Sequence, residues 1–254
     1  MTAQSFRLDG RVALVTGSSK GLGKAIALRL GAAGARVALN YKNDEASARA
    51  AWDEYRAAGH AGGLYRASAI DEGEVDAMVA QVEHELGPID IVVVNATPAQ
   101  PLKPIEEYDW DFHQAMLDYF VKSPFLLTRA VLPGMKARRR GRIVNIGSEV
   151  LARGVAPFSA YVAAKGAQNG WTRSMARELA PFGITVNMVS PGWIPVERHK
   201  DDPAEMKDEY LRGIPVGRWG VPDDVAGAVL YLASDEASFV AGVDLHVNGG
   251  VTVG

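Results

Sequence analysis

Short runs of β-branched and aliphatic residues alternate with longer Ala-rich stretches along the chain, and this alternation predicts its secondary structure. The predicted strands are 11–16, 36–40, 62–67, 90–95, 141–146, 184–189 and 243–247. The predicted helices are 21–33, 44–58, 72–86, 105–133, 158–180 and 222–233. A repeated strand and helix predicts a parallel sheet with right-handed crossovers. The strands are nearly continuous hydrophobic runs, which favours a doubly wound α/β sheet of about seven strands with helices on both faces.

The segment 192–221 departs from this rhythm because it is richer in Pro, Gly and charge than its neighbours. It follows the carboxyl end of a predicted strand, where ligands bind in open α/β sheets. We interpret it as a substrate lid; the alternative is a plain surface insertion. No linker or low-complexity stretch divides the sequence, which predicts a single domain over residues 1–254.

Composition and charge exclude several classes of function. The 254 residues are 48% hydrophobic and 22% charged, as in an ordinary globular protein, and the net charge of −3 argues against a nucleic-acid binder. There is no cysteine, and the five histidines lack metal-ligand spacing, so we expect no metal site. The apolar runs fall short of the roughly 18 residues that span a bilayer, and no apolar stretch precedes the first strand. These features predict a cytoplasmic protein without membrane contact.

The first predicted strand leads directly into the Gly-rich sequence TGSSKGLG, residues 16–23, and a helix follows. Glycines let a backbone turn sharply and approach a pyrophosphate, whose charge a helix N-terminus stabilises. The spacing GxxxGxG differs from the usual GxGxxG, and such a loop is sometimes only a tight turn. Its place after the first strand of a βαβ series favours a dinucleotide site.

The same loop resembles that of the short-chain dehydrogenase/reductase family, and further matching motifs follow in the family's order. They are Val94-Asn95-Ala96, Ser148, Tyr161-Val162-Ala163-Ala164-Lys165, Ser190-Pro191-Gly192 and Val247-Asn248-Gly249-Gly250. The resemblance spans essentially the whole chain and looks closest to the branch containing 3-oxoacyl-carrier-protein reductases. It implies a single-domain Rossmann-type fold, a nicotinamide cofactor, a small carbonyl or alcohol substrate, and a homotetramer.

The resemblance also implies which residues bind the cofactor. They are Gly17, Ser19, Lys20, Gly21, Leu22, Gly23, Asn40, Tyr41, Lys42, Ser68, Ala69, Asn95, Ala96, Tyr161, Lys165, Pro191, Gly192 and Ile194. In NAD-preferring members an Asp ends the second strand, and here that position is Tyr41. Lys42 and Lys20 lie nearby, and two cations favour the extra 2′-phosphate, so we predict NADP(H). If both lysines are simply solvated, NAD(H) is the alternative.

Tyr161 and Lys165 are four residues apart on a predicted helix and therefore share a face. A lysine about 4 Å from the phenol stabilises the phenolate by roughly 4 kcal/mol at an effective dielectric of about 20. That energy corresponds to about three pKa units, which predicts a Tyr161 pKa near working pH. The resemblance implies Tyr161 as general acid or base, Lys165 as the group that lowers its pKa and holds the nicotinamide ribose, and Ser148 as a hydrogen-bond partner of the substrate oxygen.

The chain departs from the family's pattern at several positions. Val196 replaces a threonine that contacts the nicotinamide carboxamide, Thr97 replaces a glycine, and Ser68 replaces an aspartate that contacts adenine. The family's fourth catalytic member, an asparagine, aligns with Phe120. Retention of Ser148, Tyr161 and Lys165 favours an active reductase. An NAD-dependent alcohol or sugar dehydrogenase, and a cofactor-binding protein without catalysis, remain the alternatives.

Pro124 interrupts the predicted helix 105–133, close to Phe120. Since proline has no N–H, the Phe120 carbonyl loses its helical partner and a kink is expected. In relatives the aligned residue lies at a helix kink, and its carbonyl binds a water that leads from the lysine to solvent. We hypothesise that Pro124 keeps such a relay through the Phe120 backbone; the alternative is a bend that serves only a subunit contact.

Overall fold

A computed structural model of the chain describes residues 6–253, and one parallel sheet runs through it. Its strands are β1 (Val12–Val15), β2 (Arg36–Tyr41), β3 (Gly62–Arg66), β4 (Ile89–Val94), β5 (Gly141–Ile146), β6 (Ile184–Pro191) and β7 (Asp244–Val247). Their order is β3-β2-β1-β4-β5-β6-β7. All seven predicted strands are confirmed, and every pairing between neighbours is parallel.

Nine α-helices lie within residues 6–253. They are α1 (Gly21–Ala32), α2 (Glu45–Ala57), α3 (Glu72–Leu86), α4 (Trp110–Leu117), α5 (Ser123–Arg138), α6 (Val150–Arg153), α7 (Ser159–Leu179), α8 (Ala204–Arg212) and α9 (Pro222–Ala233). Helices α1, α2 and α9 pack on one face of the sheet, and α3, α5 and α7 pack on the other. The predicted doubly wound architecture is therefore confirmed. None of the helices in this part of the chain combines the length and apolar character needed to cross a membrane.

Local sequence fixes where several helices begin. The side chains of Asp44, Asp71 and Asp109 accept hydrogen bonds from backbone N–H groups in the first turns of α2, α3 and α4. Such N-caps satisfy amides that have no partner inside the helix, and they also place negative charge at the positive end of the helix dipole. The strands β1, β4, β5 and β6 are buried along their whole length.

The prediction of one helix over 105–133 is wrong in detail. The region contains a short 3₁₀ turn at Ile105–Glu107, then α4, a π turn at Asp118–Lys122 and α5, which continues to Arg138. Asp109 starts a new helix, and Pro124 lies in the first turn of α5, immediately after the π turn. The interruption expected at this proline is confirmed, although it takes the form of a widened turn.

The strand order reverses between β1 and β4, which are neighbours in the sheet although β1 continues to β2 on its other side. In open α/β sheets this switch point creates a crevice beyond the carboxyl ends of the strands. The loops that follow β1, β4, β5 and β6 all open at that edge, so residues distant in sequence meet there.

Candidate active site

The Gly-rich loop between β1 and α1 has no room for a side chain at Gly17 or Gly23. Gly17 and Gly21 have φ angles of +62° and +55°, which glycine adopts readily and other residues do not. A Cβ atom on Gly17 would lie 2.8 Å from the Cα of Ala96, and one on Gly23 would lie 2.3 Å from the Gly17 carbonyl oxygen.

Helix α1 starts without a side-chain cap at Lys20, so its first amides are free of a side-chain acceptor. This backbone cradle fits a pyrophosphate group. Two further predicted contacts, Ser19 and Leu22, lie on the same loop and are partly exposed.

Two asparagines that stay predicted cofactor contacts also support the loop. The Asn95 side chain donates hydrogen bonds to the carbonyl oxygens of Thr16 and Gly17, both at 3.0 Å. The Thr16 hydroxyl accepts the N–H groups of Asn95 and Ala96 at 2.9 and 3.1 Å. Asn40 is buried, and its side-chain oxygen accepts the Gly17 N–H at 3.3 Å. These side chains hold the crevice in shape, and their hydrogen bonds go to protein backbone.

The residues predicted near the adenosine lie at the ends of β2 and β3. Tyr41, Ser68 and Ala69 are largely buried, whereas Lys42 is exposed. The Ser68 backbone N–H donates to a carboxylate oxygen of Glu74 at 2.8 Å. Ser68 therefore lies at the expected edge, held by α3 through a carboxylate that sequence reasoning did not identify.

Lys20 is not a free cation. Its ammonium lies 3.1 Å from a carboxylate oxygen of Asp44, the residue that caps α2. Hydrogen bonds from Ser47 and then from Lys20 lower the pKa of Asp44 to about 2, so the carboxylate stays charged. Sequence reasoning noted the missing carboxylate at Tyr41 and overlooked this one three positions later. An Asp directly before an Ala-rich helix is a recognisable cap and would have revealed it.

The three predicted catalytic side chains come together at the carboxyl end of β5. Ser148 follows β5 and is half-buried, while Tyr161 and Lys165 lie one turn apart on α7 and are 7% and 3% exposed. The Lys165 ammonium donates to the Ile146 carbonyl oxygen at 2.7 Å and to Gln168 Oε1 at 3.0 Å. It lies 5.5 Å from the centroid of the Tyr161 ring.

Burial shifts the two titratable groups in opposite directions. It raises the pKa of Tyr161, and the neighbouring Ser148 side chain and the positive charge of Arg198 only partly oppose this. Burial also lowers the pKa of Lys165 well below its usual value; Arg198 adds to that effect and Asp244 opposes it. In this structure, desolvation of Tyr161 outweighs the attraction of nearby positive charge, which is the opposite direction from the lowered pKa that the sequence predicts.

Phe120 lies in the π turn and packs directly on the catalytic pair. Its ring is 3% exposed, meets the Tyr161 ring edge-to-face at 5.3 Å, and has its centroid 3.7 Å from the Lys165 ammonium. The residue aligned with the family's asparagine thus contacts the lysine, but through an aromatic face, which attracts a cation. Because Pro124 has no N–H, the Phe120 carbonyl has no helical donor at that position.

The segment after β6 closes the crevice from the side. Pro191 and Ile194 are buried, and Gly192 is partly buried. A Cβ atom on Gly21 would lie 3.6 Å from Val196, so this segment runs alongside the Gly-rich loop. The Val196 side chain has no hydrogen-bonding atom, so it cannot make the hydrogen bond expected of the family's threonine.

A buried carboxylate next to Ser148 ties α8 to the site. Glu149 is 3% exposed, and its Oε1 accepts the Tyr210 hydroxyl at 2.7 Å and the Arg153 guanidinium at 2.8 Å. The Tyr210 oxygen also accepts the Trp193 N–H at 2.8 Å. Sequence reasoning missed this contact, because nothing in the sequence pairs residues so far apart. Within residues 6–253, no cluster of His, Asp and Glu is arranged to hold a metal ion.

Comparisons with known proteins show which sequences and folds this chain is similar to. Residues 17–252 match the family described as "Enoyl-(Acyl carrier protein) reductase". The chain is 39% identical over 241 residues to the 3-oxoacyl-[acyl-carrier-protein] reductase FabG of Staphylococcus aureus, covering 94% of this chain and 97% of the relative.

Solved structures with the same fold include two that contain a nucleotide. A gluconate 5-dehydrogenase from Burkholderia cenocepacia, in complex with NADP and tartrate, aligns with a TM-score of 0.88 and 36% identity over 97% of this chain and 96% of that one. A 3-oxoacyl (acyl-carrier-protein) reductase from Agrobacterium tumefaciens with NADP bound aligns with a TM-score of 0.89 and 33% identity over 98% of this chain and 100% of that one.

The sheet order, the Gly-rich cradle at the switch point and the group on α7 define a Rossmann-type enzyme. With a family match over most of its length and relatives near 39% identity, the chain belongs to the short-chain dehydrogenase/reductase family. It is an oxidoreductase of the kind that acts on CH–OH groups.

Proposed function

We propose that this protein transfers a hydride between NADP(H) and a ketone or secondary alcohol, with Tyr161 as the acid or base. The observation that carries the proposal is the buried group at the end of β5, in which Ser148, Tyr161 and Lys165 meet beside the Gly-rich cradle. Names of relatives support the chemistry, since both 3-oxoacyl reductases and gluconate 5-dehydrogenases interconvert a carbonyl and a hydroxyl.

Each residue of this group has its own role when a carbonyl is reduced. The nicotinamide, when bound, supplies the hydride. Ser148 donates a hydrogen bond to the carbonyl oxygen, where negative charge develops. Tyr161 delivers its proton to the same oxygen, and the burial that raises its pKa keeps that proton on the phenol at neutral pH. Lys165 holds the nicotinamide ribose and places positive charge beside the phenolate that remains.

The preference for NADP(H) rests on charge at the end of β2. Tyr41 puts no carboxylate against a 2′-phosphate, and Lys42 is exposed beside it. Lys20 contributes less than expected because Asp44 is its ion partner. NADP in two related structures supports the same preference. NAD(H) is the alternative, with alcohols or sugars as substrates.

Two further features belong to this proposal. The segment 192–221 acts as a substrate lid, supported by its contact with the Gly-rich loop and by the Tyr210–Glu149 hydrogen bond. The protein works in the cytoplasm, an expectation taken from its composition and apolar runs, and as a homotetramer, an expectation taken from the family resemblance.

The direct test is turnover with NADPH against ketones, 3-oxoacyl thioesters and keto-sugar acids. Tyr161→Phe should lower kcat by about a thousand-fold, because the proton donor is lost, while NADPH binding followed by fluorescence stays intact. Tyr231→Phe on α9 removes a distant hydroxyl and serves as the control. Full turnover in Tyr161→Phe would refute the catalytic assignment, and tight NADPH binding by a wild type that turns over no substrate would favour a non-catalytic protein.

A further inference from the structure

The environment of the Lys165 ammonium is nearly closed. The residue is 3% exposed, so bulk water contributes little to stabilising its charge. Its surroundings are the Ile146 carbonyl oxygen at 2.7 Å, Gln168 Oε1 at 3.0 Å and the Phe120 ring, whose centroid is 3.7 Å away. Among residues 6–253, Gln168 supplies the one side-chain oxygen that is hydrogen-bonded to this ammonium.

A buried ammonium needs acceptors for its three N–H groups, because desolvation without hydrogen bonds strongly disfavours the charge. The Ile146 carbonyl belongs to β5 and occupies a fixed position. An aromatic face attracts the cation and accepts at most a weak N–H contact, which orients the ammonium less than an oxygen acceptor does. The direction in which the ammonium points is therefore set by Ile146 and Gln168 together, and the side chain of Gln168 is the part that a substitution can remove.

We propose that Gln168 is a positioning residue, whose side-chain oxygen holds the Lys165 ammonium in place beside Tyr161 where Phe120 offers no polar group. This inference rests on the proposed function, because it assigns a task to Gln168 in that same reaction. Gln168 lies three residues after Lys165 on α7, a spacing that puts both side chains on one face of the helix.

Gln168 is itself held firmly enough for this role. It is 1% exposed, and its backbone carbonyl accepts the Thr172 hydroxyl at 2.8 Å. The Asn145 side chain on β5 donates to the same hydroxyl at 2.9 Å. A chain of buried hydrogen bonds thus connects β5 to the backbone of α7 at Gln168. Burial of the residue leaves its side-chain amide little space in which to move.

Other charged groups act on Lys165 and must be kept constant in a test. Arg198, in the segment after β6, disfavours the ammonium, and Asp244 on β7 favours it. Asp244 accepts a hydrogen bond from Asn169 at 3.1 Å and lies 3.7 Å from His246. Tyr161 is the remaining titratable group beside the lysine. None of these residues changes in the variants below.

The test uses Gln168→Leu, Phe120→Asn and the double variant, with Thr128→Val as a control that removes a buried hydroxyl on α5 but no hydrogen bond to Lys165 or Gln168. Gln168→Leu should lower kcat about ten-fold and change the substrate KM less than about two-fold, since a hydrogen bond to a charged group is lost. Titration of the Lys165 side chain by ¹³C NMR should move to lower pH. Phe120→Asn should restore most of both effects in the double variant, because it returns an amide to the space of the ring.

Gln168→Glu provides a second measurement, because it keeps an oxygen within the same reach. It should fold, move the Lys165 titration to higher pH and retain kcat within about three-fold. An unchanged Lys165 titration in Gln168→Leu, or purely additive effects in the double variant, would overturn the inference. The NMR readout does not need turnover. A wild type without activity whose Lys165 titration still moves in Gln168→Leu would refute the proposed reaction and leave the positioning role standing.

Discussion

At the scale of single residues, burial governs the chemistry of the candidate site more than any ion pair does. It raises the pKa of Tyr161 and lowers that of Lys165, so both groups are driven towards their neutral forms. A protonated phenol suits reduction of a carbonyl, whereas oxidation of an alcohol needs the phenolate. The contacts of Lys165 therefore matter, because each one helps to keep a charge that burial opposes.

The Lys20–Asp44 pair gives a prediction about cofactor preference. Asp44→Asn removes the carboxylate charge but keeps a side chain that caps α2 well. Lys20 is then released towards the crevice, and we expect NADPH to bind about two- to five-fold more tightly, within the range of an exposed ion pair. Fluorescence titration at low and high salt measures this, and the gain should shrink as salt screens the charge.

Lys42→Ala is the matched control for this prediction, because it removes a cation at the same edge and should weaken NADPH binding. NADH binding should change little in either variant, since NADH carries no 2′-phosphate. If Asp44→Asn strengthens NADH and NADPH binding equally, the charge argument is wrong and the change acts on the loop as a whole.

Part of the candidate site was predictable from sequence because its residues sit in short motifs. Tyr161 and Lys165 lie one helical turn apart, and the Gly-rich loop follows a strand, so local spacing identifies both. Gln168 could have been found by the same reasoning, as a polar residue on the buried face of α7. The raised pKa of Tyr161 could not have been predicted from sequence, because it depends on desolvation by neighbours that only the folded chain provides.

At the scale of elements, the π turn at Asp118–Lys122 places the Phe120 ring against the Lys165 ammonium. Such turns insert an extra residue into a helix and often occur at functional sites. Pro124 follows directly and has no N–H to donate to the Phe120 carbonyl in an α-helical bond. The sequence identified the proline and the interruption, whereas the contact of the ring with the ammonium required the packing of the π turn against α7.

Substitution at this proline tests the water relay suggested by the family resemblance. Pro124→Ala supplies an N–H to the Phe120 carbonyl, so a water held there should be displaced and kcat should fall roughly ten-fold, a modest loss for a proton-transfer contact. Steady-state kinetics with NADPH measures the effect. Pro133→Ala, inside the same helix, is the matched control and should retain kcat. Unaltered turnover in Pro124→Ala would mean that the proline only bends the helix and does not support a water relay.

At the scale of the whole molecule, alternation of strands and helices was enough to predict the parallel sheet but not the order of its strands. The reversal between β1 and β4 creates the crevice, and it follows from which helix covers which face. The contact between Glu149 and Tyr210 has the same origin, since 61 residues separate them in sequence. Long-range pairings of this kind are decided by packing and carry no local pattern.

Exposed apolar side chains on the folded chain lead to a prediction about its assembly. Phe125 on α5 is 46% exposed, and Phe239, just before the edge strand β7, is 102% exposed. These large apolar side chains lie on different parts of the fold, and an uncovered edge strand invites pairing. A tetramer built from two kinds of interface would cover both.

We expect light scattering to give a mass four times the 27.2 kDa of one chain. Phe125→Glu and Phe239→Glu should each reduce the assembly to a dimer, because a charge would be buried at one of the two interfaces. Met206→Glu, an equally large change at a 41% exposed position on α8, should leave the mass unaltered. A monomeric wild type would exclude the tetramer, and a tetramer that survives both substitutions would place its interfaces elsewhere on the surface.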